Sequence, residues 1–131
     1  MILVDTSVWI DHLRGFESPE AKFFVRLVSE DQDLCTCGLI VTEVMQGIRQ
    51  ERQVPRIWSR LSSLIYLPMP EESFDMAAYL YRTARKRGNA IRNTMDCLVA
   101  ACAITHNVPL LQRDKDFVTI AGVSNLVLVT P

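Results

Sequence analysis

Apolar residues along the chain follow two rhythms. Short, mostly apolar runs occupy residues 1–4, 34–37, 64–67, 108–112 and 126–129. Runs of that length read as buried strands. Between them, apolar residues recur three and four apart. Residues 6–13 follow the capping side chains of Asp5-Thr6-Ser7 and stop near Gly15. Ser18 and Pro19 open a second helix with Phe23, Phe24, Leu27 and Val28 on one face. Residues 39–50 put Ile40, Val41, Val44, Met45 and Ile48 on one face, and a further helix covers 55–61. Residues 71–87 form a long amphipathic helix ending at Gly88. Residues 93–106 are apolar nearly all round, so that helix is expected to be buried.

Strand and helix alternate, and the strands are apolar on both faces. This predicts an α/β domain with a parallel sheet covered by helices on both sides. No hairpin turn signal supports an antiparallel alternative. The 131 residues fit one domain, 1–131. In open sheets of this class, sites form at the carboxyl ends of strands. Asp5 and Asp114 fall there.

Composition narrows the function. A chain 49% hydrophobic and 22% charged is not disordered. Fourteen basic and 15 acidic residues give a net charge of -1, which excludes a polybasic nucleic-acid binder. Contact with nucleic acid must come from a local patch or a metal. The local patch is segment 82–92, where Arg82, Arg85, Lys86, Arg87 and Arg92 occur without an acid. Mean hydropathy is +0.13, high for a small chain. Ile48, Ile57, Trp58 and Leu61 read as the exposed excess, which points to a homodimer and a partner. No basic region precedes the first apolar run, and the longest apolar run, 97–104, is too short to span a membrane. The expectation is a cytoplasmic protein. Cys35, Cys37, Cys97 and Cys102 have no zinc-finger spacing and read as small buried side chains.

The acids carry the chemistry. Asp5 alone is an ordinary N-cap, and Glu43 alone is an ordinary helix flank, with Gly47 one turn on permitting close approach. Asp96 begins a helix of Met95, Cys97, Leu98, Val99, Ala100 and Ala101. It either closes a capping box with Asn93 or is a carboxylate in need of a partner. Asp114 and Asp116 follow a strand, where either is able to cap a turn containing Phe117. Carboxylates converging in low dielectric repel one another, and a hard divalent cation removes the conflict. Oxygen-only donors suit Mg²⁺ or Mn²⁺. His12 and His106 stand apart, and no phosphate-binding glycine loop is present.

Four segments then resemble the PIN-domain family, and within it the VapC-type toxin ribonucleases. They are Asp5-Thr6-Ser7-Val8-Trp9-Ile10, Thr42-Glu43-Val44-Met45-Gln46-Gly47, Asp96-Cys97-Leu98-Val99-Ala100-Ala101-Cys102-Ala103, and Leu111-Gln112-Arg113-Asp114-Lys115-Asp116-Phe117. They occur in the family's order and spacing along nearly the whole chain. The departure is Gln112, where many members carry Thr or Ser. The resemblance implies a three-layer sandwich with central sheet order 3-2-1-4-5. It implies Mg²⁺- or Mn²⁺-dependent hydrolysis of RNA to 5′-phosphate and 3′-hydroxyl ends. Asp5, Glu43, Asp96 and Asp114 correspond to the family's acidic cluster, with Asp116 and Thr6 auxiliary. A cognate antitoxin is the implied partner. Arg85, Lys86, Arg87 and Arg92 are the residues expected to grip RNA.

Three other readings compete. A response-regulator receiver needs an acid after a central strand and a lysine after the last one. Pro68-Met69-Pro70 follows the 64–67 run, and residues 126–131 contain no lysine. A PIN nuclease of RNA maturation without an antitoxin is the second, disfavoured by the chain's compactness. A non-catalytic binding module is the third, disfavoured by the intact acids.

Overall fold

The computed structural model describes all 131 residues. Strand β1 (Ile2–Val4) leads into α1 (Thr6–Leu13) and α2 (Pro19–Ser29). Strand β2 (Leu34–Thr36) leads into α3 (Gly38–Gln46), a 3-10 turn at Glu51–Gln53 and α4 (Val54–Ser62). After β3 (Ile65–Tyr66) come α5 (Glu71–Lys86) and α6 (Thr94–Thr105), then β4 (Leu110–Leu111) and α7 (Lys115–Ala121). The sheet runs β3-β2-β1-β4, and every pairing is parallel. The right-handed crossover preference puts α1 to α4 on one face and α5 to α7 on the other.

The expected fifth strand is present only as one parallel bridge, Leu110 to Leu128. Leu110 N–H donates to Val127 O and Leu110 O accepts from Val129 N–H, both at 2.9 Å. The pairing cannot extend. Two residues back, Val108 N–H is committed to Ala103 O at the end of α6. Two residues on, Gln112 has turned toward the acids. The order is thus 3-2-1-4, with the fifth position reduced to that bridge.

Three local expectations need correction. Helix α3 stops at Gln46 with Gly47 as its C-cap, so Ile48 lies beyond it. In α2 the buried stripe is Ala21, Phe24 and Leu27, spaced by three, which rotates Val28 outward to 57% exposure. Ile57 and Leu61, read as exposed, are the inward face of α4 at 2% and 1% exposure. Of that set only Trp58 is largely exposed, at 52%. An amphipathic repeat reveals that a helix has two faces but not which of them meets the sheet.

The sheet core is built from Leu3, Val4, Cys35, Leu110 and Leu111, all with no exposed surface. Helix α6 is buried against it through Cys97, Val99, Ala100, Ala101, Cys102 and Ala103, and α5 packs on its other side. Small side chains let α6 lie close to the strands, so its first turn reaches the sheet's carboxyl edge. All four cysteines are buried and unpaired by disulfides. The large pieces, Phe117, Leu80 and Ile40, wedge α7, α5 and α3 onto the centre. Removing one such side chain costs about 3–5 kcal/mol for Phe. No helix is long and apolar enough to cross a membrane.

Candidate metal centre

Each acid is placed by a local rule. Asp5 leaves β1 in an extended conformation and caps α1. Its Oδ2 accepts from Ser7 N–H at 3.0 Å and from Ser7 Oγ at 2.6 Å. Asp5 N–H continues the ladder to Leu111 O at 2.9 Å, so β1 and β4 end together. Asp114 likewise caps α7, accepting from Asp116 N–H at 2.9 Å. Gln112, the departure noted above, turns its side-chain oxygen onto Asp114 N–H. It therefore fills the hydrogen-bonding role at that position. Glu43, on α3, accepts from Thr6 Oγ1 at 3.0 Å.

At α6 it is Asn93 that caps, accepting from Met95 N–H at 3.0 Å. Asp96 does not close a capping box; its carboxyl faces the other acids instead. Asp96, Asp114 and Asp116 hold carboxylate oxygens within 4.8 Å of one another. Asp116 is more central than the sequence suggested. It is 5% exposed, and the Arg92 backbone N–H and Nε both reach its Oδ2, at 3.3 and 3.4 Å. Arg92 also reaches Asp114 at 3.5 Å. The guanidinium is largely exposed and its contacts are long, so it offsets little of the local charge.

The electrostatics record the crowding. Asp96 is pushed up to about 7, first by desolvation, then by Asp114, Asp5, Asp116 and Glu43 in that order. Burial raises Asp5 as well. The Ser7 hydrogen bonds oppose that rise, and the charge of Glu43 adds to it. All five acids thus share one field, although Asp5 and Glu43 lie outside the tight triplet. The donor chemistry is oxygen only and strongly anionic, which suits a hard divalent cation. No nitrogen or sulfur ligand stands among them.

Two features were not read from the sequence. Ser7 ties two strand ends together: its Oγ donates to Asp5 and accepts from Arg113 N–H at 3.0 Å. Asp11, 8% exposed, takes Arg113 Nη1 on both oxygens at 2.9 and 3.0 Å and Ser18 Oγ at 2.8 Å. Phe16 lies 4.7 Å beneath the same guanidinium. This pair locks the residue preceding Asp114 onto α1. Asp11 and Arg113 are 102 positions apart, beyond any local pattern. The rest of the basic segment, Arg82, Arg85, Lys86 and Arg87, is exposed at the end of α5, and only Arg92 reaches the acids.

Comparison with known proteins agrees with this geometry. The PIN domain model matches residues 2–123. Ribonuclease VapC11 of Mycobacterium tuberculosis is 35% identical over 128 residues, covering 96% of each chain. Among solved structures, VapBC-1 from nontypeable Haemophilus influenzae aligns with a TM-score of 0.76 at 22% identity, over 98% of this chain and 97% of that one. VapC20 of Mycobacterium tuberculosis, described as a Sarcin-Ricin loop cleaving toxin, aligns with a TM-score of 0.66 at 16% identity, over 96% and 98%. From its strand-end acids to its sheet order, the chain belongs to the PIN-domain family, and VapC ribonucleases are among its relatives.

Proposed function

We propose that this protein is a metal-dependent endoribonuclease that acts as the toxin of a toxin-antitoxin pair. The observation that carries the reading is the triplet of Asp96, Asp114 and Asp116, with Asp96 raised to about 7. A structural role does not explain bringing these like charges together at a strand edge. Asp96, Asp114 and Asp116 would hold Mg²⁺ or Mn²⁺, with Asp5 and Glu43 completing the acidic set around them. The bound ion would supply a water of lowered pKa and neutralise charge on the scissile phosphate.

The chain's own residues do the positioning. Thr6 and Ser7 orient Glu43 and Asp5 through their hydroxyls. Arg92 sits beside the acids, where it is able to exchange its long carboxylate contacts for a phosphate oxygen. Arg85, Lys86 and Arg87 extend the positive surface away from the site, where their contribution is salt-sensitive.

An apolar cleft between α1, α2 and α4 supports the partner half of the reading. Its volume is about 370 Å³, and Trp9, Phe24, Val25, Val28 and Leu64 line it beside Arg60. Val25 and Val28 are half-exposed on a helix whose other face is core. An amphipathic antitoxin segment fits such a cleft. The cleft lies on α1 and α2 as well as α4, whereas the sequence pointed to residues around α3 and α4, of which Trp58 is exposed. A second copy of the chain would complete the expected homodimer. Cleavage of RNA by purified protein with Mg²⁺, set against EDTA, tests the enzymatic half. Inhibition by the co-encoded neighbour tests the other.

A further inference from the structure

A second cavity opens along the same carboxyl edge of the sheet as the acids, at the ends of β2 and β3. Its volume is about 470 Å³. Thr36 forms its buried wall at the end of β2, while Trp58 of α4 and Tyr66 of β3 are half-exposed at 52% and 60%. Gly38 and Thr42 contribute from α3, and Thr42 directly precedes Glu43.

Two details are unexplained by folding. The Thr36 hydroxyl is buried without a hydrogen-bond partner, in a residue only 2% exposed. Leaving such a group unpaired is costly, and a valine of the same shape avoids the cost. Trp9 Nε1 and Ser73 Oγ are likewise buried without a partner, but of the three only Thr36 lines this cavity. Secondly, Tyr66 lies across the start of α3. A Cβ at Gly38 would meet its hydroxyl at 3.0 Å, so the ring packs tightly over this corner.

We propose that this cavity is a nucleobase subsite, which holds one base of the RNA strand next to the scissile phosphate. The inference rests on the ribonuclease reading above and specifies how its substrate is read. Flat aromatic side chains with exposed faces are the usual platform for a single-stranded base. A hydroxyl is both donor and acceptor, so Thr36 is able to read a base edge once the base has entered. The neighbouring hydroxyls are already committed: Thr42 Oγ1 donates to Gly38 O at 2.9 Å and Ser62 Oγ to Ser59 O at 3.1 Å. Thr36 is thus the buried hydroxyl left uncommitted, beside the exposed hydroxyl of Tyr66. The cavity falls in the size range of small-ligand pockets and is walled mainly by apolar and aromatic groups, as such sites are.

The test uses the full chain in EDTA, so that no cleavage occurs. Each of the four nucleoside 5′-monophosphates is titrated while tryptophan fluorescence is followed. Trp58 is the exposed emitter; Trp9, at 2% exposure, serves as the shielded background. The expected result is quenching that differs among the four bases, and Trp58→Phe, which keeps an aromatic platform, should still bind the nucleotides when binding is followed by competition with a fluorescent RNA oligonucleotide. Trp58→Ala should weaken binding of a short RNA by roughly 5- to 150-fold, the range for losing one stacked base. Thr36→Val should raise the melting temperature yet narrow the affinity differences among bases.

A higher melting temperature in Thr36→Val with unchanged base preference, or equal RNA affinity in Trp58→Ala and the parent, overturns the proposal. A change of oligomeric state in Trp58→Ala without change in RNA affinity also overturns it and assigns the surface to protein contact. Failure of the ribonuclease reading looks different. Base-selective quenching would persist while no RNA is cut in Mg²⁺.

Discussion

Asp96→Asn should make the metal-free protein more stable above neutral pH. Folding raises the Asp96 pKa from 3.8 to about 7, so between those values the native state binds more protons than the unfolded chain. Stability must then fall as pH rises through that window, and the full cost is present above about pH 7. Three units correspond to roughly 4 kcal/mol at face value. Asp96 is only partly buried, so solvent screening reduces this to about 2 kcal/mol. Asparagine keeps the shape and never ionises. At pH 8 in EDTA, Asp96→Asn should exceed the parent by about 2 kcal/mol, or about 7 °C in Tm for a chain of this length. At pH 3, below the unfolded value of 3.8, the two should coincide. The assay is thermal and urea unfolding of both proteins in EDTA across that range, and the difference between them cancels the other titrating groups. Excess divalent cation should stabilise the parent more than the variant, because linked binding requires the carboxylate. Parallel pH profiles, or an asparagine variant less stable at pH 8, would show that the acids do not crowd one another as argued.

Four further outcomes follow from individual contacts. Ser7→Ala removes the hydroxyl's bond to Asp5 and its tie to Arg113 N–H while leaving the backbone N–H bond to Asp5, so Asp5 should titrate still higher and Mn²⁺ affinity should drop, read by calorimetric titration. Asp11→Ala strands Arg113 and should cost about 1–3 kcal/mol in urea unfolding, with weaker Mn²⁺ binding because Asp114 is next in the chain. Arg92→Ala removes the guanidinium beside the acids; because its contacts to Asp114 and Asp116 are long and exposed, Mn²⁺ affinity should change little while RNA binds less well, measured by calorimetry and filter binding. Changing Arg85, Lys86 and Arg87 together to Ala should lower RNA affinity and flatten its salt dependence; an unchanged slope would remove that surface from the account.

The parts of this molecule visible in the sequence are those set by short-range physics. The apolar run before Asp5 gives β1, and the all-round apolar helix gives α6 with Asp96 at its start. The alternation of strands and helices gives the parallel sheet. Asp5 and Asp114 follow because a capping residue after a strand is a local signal. Asp116 was underrated because spacing by two in a turn does not reveal which side folds inward. Its burial depends on α7 meeting the Arg92 loop. The Asp11–Arg113 pair and the Ser7 bridge join distant segments, and no local pattern encodes them. Ile57 and Leu61 mislead for a related reason, since the repeat in α4 is the same whichever face it buries.

The central claim is that these acids bind a divalent cation and cut RNA. Its most direct test is cleavage of a single-stranded RNA by purified protein in Mg²⁺, in EDTA, and by Asp96→Asn in Mg²⁺. The account predicts cleavage in the first case alone, with the variant folded and at least as stable as the parent. Undiminished cleavage in EDTA, or full activity of Asp96→Asn from a nuclease-free preparation, would contradict it.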